Sequence, residues 1–187
     1  MRNACRLCHL RRRSALAMFG AAGLIAAGCS FLQTSAEVTP VDQQFMLTVA
    51  SVGTAEVDMA ELAQRQGGDP AVRAYGRRLA QDHMRVNEDL ARLADKKHVK
   101  LINAMDPANR TLYEELAHLS GPMFDREYLL AQVNIYRMGN SLYDSEAQAG
   151  EDGDVKAFAG RNAAVGVAHL QLAQALLAKT RQAGAGS

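Results

Sequence analysis

Residues 72–94 read VRAYGRRLAQDHMRVNEDLARLA, with Val72, Gly76, Leu79, His83, Val86, Leu90 and Leu93 at alternating steps of four and three. That spacing keeps side chains on one stripe of an α-helix, and the charged and amide residues between them fall off it. His83 is the odd member. An imidazole inside an apolar seam needs a partner for each ring nitrogen, so the search for function starts from what those partners are.

Working outward, the same pattern recurs on both sides. Phe45, Val49, Val52, Glu56, Met59 and Ala63 form a stripe upstream, closed by Gly67-Gly68. Asp69-Pro70 then supplies a cap and a first-position proline for the helix of residues 72–94. Downstream, Asp106-Pro107 opens a shorter helix over 108–119 that stops at Ser120-Gly121. Pro122 starts a third long helix, with the stripe Phe124, Tyr128, Ala131, Ile135, Met138 and Leu142, running to about Gly150. The acidic turn Glu151-Asp152-Gly153-Asp154 leads into a fourth, striped by Val155, Phe158, Asn162, Val165, His169, Leu172 and Leu176. No strand pattern occurs. The expected fold is all-α: an up-down-up-down four-helix bundle over residues 42–181. The short helix between the second and third long ones is expected to close one end, and 182–187 to be a disordered tail.

Composition agrees with a helical domain. The chain has 187 residues, 48% hydrophobic, with 5% aromatics and no Trp, so Ala and Leu carry the apolar mass. The formal net charge is +1, but the first 28 residues hold five Arg and no acid. The remainder has 16 basic against 20 acidic residues, which argues against a nucleic-acid partner. Cys5, Cys8 and Cys29 are the only cysteines, so no disulfide framework staples the bundle.

Residues 1–28 have the layout of a signal peptide: the basic Arg11-Arg12-Arg13, then a short apolar run broken by Gly20 and Gly23. The run is too short for a comfortable membrane span. Ala26-Ala27-Gly28-Cys29 is similar to a lipobox, with Ala26 where Leu is usual. This predicts lipidation of Cys29, a tether over residues 29–41, and a place on the periplasmic side of the cell envelope, anchored to the membrane by lipid. A plain cleaved secretory signal is the alternative. Cys5-Arg6-Leu7-Cys8-His9 matches the haem-attachment pattern, but it precedes the apolar run and would be lost with the signal. No haem is expected.

Glu56, His83 and His169 each hold a stripe position where an aliphatic residue would be ordinary. At 1.5 Å per residue their depths from the turns at one end are roughly 18, 22 and 26 Å. Tyr136 falls at the same level on the third long helix. Two readings suit this polar layer. One is a buried hydrogen-bonded network that fixes helix register, with Glu56 accepting from the histidines. The other is a site for one transition metal ion on Glu56, His83, His169 and Tyr136, whose mixed nitrogen and oxygen donors suit zinc, iron or copper.

Several segments together resemble one family. They are Glu56 in its stripe, Val72-Arg73-Ala74-Tyr75-Gly76 with Asp82-His83, Gly121 with Phe124-Asp125 and Tyr128, and Lys156-Ala157-Phe158-Ala159 with His169-Leu170. In order and spacing they are similar to the exported ferritin-like domains of unknown function numbered 4142, often labelled outer-membrane proteins, over about residues 41–178. The resemblance implies a ferritin-like bundle and an envelope location, and no established activity. Relatives commonly carry His where this chain has Tyr136, and Leu-Pro where it has Ala163-Ala164.

Carboxylate-bridged di-iron bundles need Glu-x-x-His pairs on two helices. Here Ala80 and Gly166 stand three residues before His83 and His169. The one such pair, Glu115 with His118, falls on the short helix and reads as a solvated surface motif. Asp82 reads as a partner for Arg78 or Arg85, or else as the group orienting His83. His98 reads as a cation at a helix C-terminus. No nucleophile–base pair and no phosphate loop is present. The expected role is therefore a non-enzymatic envelope protein, in stress protection or in binding an unidentified protein partner, with the metal or redox bundle as the alternative.

Overall fold

The computed structural model describes residues 38–185. The expected signal segment, Cys29 and most of the expected tether lie outside them. Among the described residues the regular elements are five helices: α1 (Pro40–Gln66), α2 (Pro70–Lys97), α3 (Pro107–Ala117), α4 (Gly121–Ala149) and α5 (Gly153–Ala185). A single isolated bridge joins Gly67 and Gly121.

Local chemistry sets the boundaries. Thr39 accepts from the Asp42 amide and Pro40 takes the first turn, so α1 starts two residues ahead of the position expected. Asp69 accepts from the Ala71 amide, and Asp106 from that of Asn109. α2 ends on His98, which adopts the left-handed conformation at φ 57 while its amide returns to Ala94 and Asp95. That makes His98 a backbone C-cap as well as a terminal imidazole. α5 continues through Ala185, so residues 182–185, expected in the tail, are helical. Arg181, Gln182 and Ala183 are good helix formers, and one late glycine does not outweigh them.

The closest pairings are α1 with α2 and α4 with α5. Each pair is a hairpin joined by a three-residue turn, at 67–69 and 150–152. Gly76 lets α2 close on α1: a Cβ there would sit 2.7 Å from the Ala60 carbonyl oxygen. A carboxylate from each hairpin grips the turn of the other. Asp125 on α4 accepts from the amides of Gly68 and Asp69 at 2.9 and 2.7 Å. Asp42 on α1 accepts from the amides of Glu151 and Asp152, both at 3.0 Å. Both carboxylates are buried. Burial pushes Asp42 upward, but its bonds from Thr39, Glu146 and those amides outweigh burial and hold its pKa below the ordinary 3.8.

α3 does not close an end. Its start is tied to the middle of α1, where Ser51 and Asp106 bond reciprocally at 3.2 and 3.0 Å. Its end is tied to the last turn of α1 by the Gln66 amide on the Ala117 carbonyl at 3.0 Å. Fifteen residues of α1 separate these anchors, a span of about 22 Å, so α3 lies along α1. The sequence showed a short helix but not the polar pairs that place it.

The buried apolar residues form two clusters. One includes Met59, Leu62, Val72, Tyr75, Leu79, Phe124, Tyr128, Leu129 and Leu177. The other is smaller and includes Phe45, Met46, Val49, Leu90, Val155 and Phe158. Tyr136 belongs to the first cluster. Along α2 and α5, His83 and His169 fall between the two clusters, and Glu56 sits where they meet on α1.

Candidate functional site

Four helices bring the polar layer together. Glu56 comes from α1, His83 from α2, Tyr136 from α4 and His169 from α5. Glu56 is fully buried, His169 and Tyr136 nearly so, and the His83 side chain is 16% exposed. His83 Nε2 lies 2.9 Å from the Tyr136 hydroxyl, in a hydrogen bond, and 3.6 Å from Glu56 Oε2. The His169 ring centre is 5.4 Å from that of Tyr136 and 6.5 Å from that of His83. The convergence expected from axial depth is therefore present, with His169 one step removed.

Two partners were not foreseen. Gln132, one helical turn before Tyr136 and fully buried, donates to Glu56 Oε1 at 3.1 Å. Only its i−4 relation to Tyr136 could have marked it. Asp82 approaches His169 rather than His83, with Oδ2 3.2 Å from Nε2. It also pairs with Arg78 and Arg85 on its solvent side, as expected.

The electrostatics favour neutral groups. Burial raises Glu56 from 4.5 to about 7, against hydrogen bonds from Gln132 and Tyr136. Burial, then the neighbouring His169, lowers His83 to about 4, against the pull of Asp82. Burial also lowers His169, again opposed by Asp82. Tyr136 is pushed well above 10, by burial first and then by Glu56.

The layer is not internally satisfied. Glu56 Oε2 and both His169 nitrogens are buried without an aligned hydrogen-bond partner. These residues border a chamber of about 610 Å³. Its walls include Val49 and Val52 of α1, Val86 of α2, Leu112 of α3, Ile135 and Leu142 of α4 and Val165 of α5. Gly139 and Gly166 also line it, and their missing side chains help keep it open. Sequence periodicity registers apolar positions and gives no sign of a void between them.

Against the metal reading, the donors divide. Among the described residues no three His, Cys, Asp or Glu side chains group as metal ligands. Glu56 Oε2, His83 Nε2 and the Tyr136 hydroxyl do gather around one point, since ligands of one ion at about 2.1 Å lie roughly 3–3.5 Å apart. A di-iron carboxylate set does not fit: Glu115 on α3 and His118 at its C-cap are exposed, outside the chamber lining.

No curated protein matches the chain. The structure is similar to a crystal structure of a DUF305 fragment from Deinococcus radiodurans, with a TM-score of 0.68 at 11% identity. The likeness covers 76% of this chain and 98% of that one, and it speaks to the helical fold alone. The family described as Domain of unknown function (DUF4142) matches residues 29–176. With most of its length covered by that match, the chain belongs to the DUF4142 family.

Proposed function

We propose that this protein is a non-enzymatic binding bundle of the cell envelope, exported and held at the membrane by lipid on Cys29, with its central chamber as the working part. The carrying observation is the unsatisfied floor. Glu56 Oε2 and His169 Nδ1 are buried without an aligned hydrogen-bond partner beside a chamber of about 610 Å³, and His169 Nε2 has only the Asp82 carboxylate 3.2 Å away. A network serving helix register alone would pair such groups internally, because orphaned buried polar atoms cost about 1–3 kcal/mol each. Up-down-up-down, ferritin-like topology belongs to the same reading, and two three-residue turns with one long connection support it. The envelope address is supported by the basic and apolar leader before Ala26-Ala27-Gly28-Cys29.

The test uses Nile red, an uncharged dye that brightens in apolar surroundings. It should bind the soluble domain one to one, and Gly139→Leu should displace it. Gly139 lines the chamber, and a Cβ there meets nothing within 4 Å, so the variant should fold. Equal dye binding by both proteins would refute the chamber. In the intact chain, Cys29→Ser should release the domain from membrane fractions, and unchanged membrane association would defeat the anchor.

A second reading, one transition metal ion on Glu56, His83 and Tyr136 with His169 nearby, is favoured by the 3.6 and 2.9 Å separations at His83 Nε2. Protein purified without chelator should then carry near-stoichiometric metal that His83→Ala removes. Substoichiometric metal, with no thermal stabilisation by added zinc, copper or iron, would rule it out.

A further inference from the structure

We infer that the chamber selects a lipophilic cation, an apolar body carrying one ammonium group, over a neutral or anionic molecule of the same shape. This rests on the chamber being a binding site and adds the charge of its guest.

The lining has a definite sign. Glu56, Asp82 and Asp106 contribute carboxyl groups, and among the described residues no Lys or Arg lines the chamber. Two of these acids have other duties. Asp106 caps α3 and bonds Ser51 and Asn109, and Asp82 is shared with Arg78 and Arg85. Glu56 is different: it is fully buried, one oxygen is held by Gln132, and the other, Oε2, has no aligned hydrogen bond, with only His83 Nε2 at 3.6 Å and the Tyr136 hydroxyl near it. That oxygen is an acceptor in a dry setting, where a charge-assisted bond from an ammonium is strong. Tyr136 and Tyr143 also line the chamber, and their ring faces suit a cation. A carboxylate guest would bring a third negative group toward Glu56 and Asp82 with no lining cation to offset it. The apolar walls account for the rest of the guest: a hydrocarbon body gains from leaving water, about 0.8 kcal/mol per methylene elsewhere in proteins.

The experiment is competition against bound Nile red with three molecules of one chain length: octylamine, octanol and octanoate. At about pH 8 the amine remains an ammonium. Octylamine should displace the dye at a concentration at least about tenfold below octanoate, and below octanol. In Glu56→Gln, which keeps the side chain's shape, the advantage of octylamine over octanol should disappear while octanol is unaffected. Octanoate competing as well as octylamine would overturn the inference, and so would an amine preference that survives Glu56→Gln. Both results leave dye binding intact. Loss of dye binding in the parent protein would instead overturn the chamber itself.

Discussion

Phe158→Ala should lower the stability of the domain by about 3–5 kcal/mol, a large share of the 5–15 kcal/mol that holds a typical domain together. Phe158 is 1% exposed and belongs to the smaller of the two apolar clusters. Its ring meets Phe45 at 6.3 Å, near perpendicular, and Tyr143 at 6.3 Å. The aromatic rings around it are large and rigid, so they collapse poorly into the space a lost ring would leave. Urea denaturation measures the loss. Amide exchange should place it: protection should fall most at the start of α1 and of α5, and least around Tyr75 and Tyr128. A uniform fall would mean that the two clusters behave as one core.

Glu56→Gln should make the protein more stable at about pH 8, by roughly 2–3 kcal/mol, and change little near pH 5. Burial raises the Glu56 carboxyl from 4.5 to about 7, so the folded chain holds that proton more tightly than the unfolded one. The stability this gives is full below about pH 4.5 and is lost as pH rises through about 7. Glutamine keeps the shape, still accepts from Gln132 and never ionises. His83, His169 and Glu146 titrate in both proteins, so their contributions largely cancel in the difference. Urea midpoints at the two pH values measure it. A difference that does not vary with pH would show that burial leaves the Glu56 carboxyl titrating as it does in the unfolded chain.

Much of the fold was legible because its signals are periodic. Stripes at steps of four and three, with Asp-Pro and Gly-Gly at the breaks, mark helix interiors and ends, and all four long helices appear where the stripes run. Glu56, His83 and His169 were legible for the same reason: each occupies an apolar register, so counting residues from a turn gives its depth, and Tyr136, at the edge of its stripe, was found by that depth alone. What was not legible depends on pairs far apart in the chain. Ser51 with Asp106 and Gln66 with Ala117 place α3, and neither pair leaves a local pattern. Gln132 looks like any other polar helical residue until Glu56 is found opposite it. The chamber depends on side chains that are short or missing, and a missing atom has no period.

The carboxylates at Asp42 and Asp125 have one more consequence. A beam pinned at both supports yields at midspan, and the two hairpins are pinned in this way, each loop held by an acid from the opposite hairpin. The lining residues Met138 and Val165 are 76% and 38% exposed, so the hollow opens to water along the flank of the bundle, away from the two pinned tips.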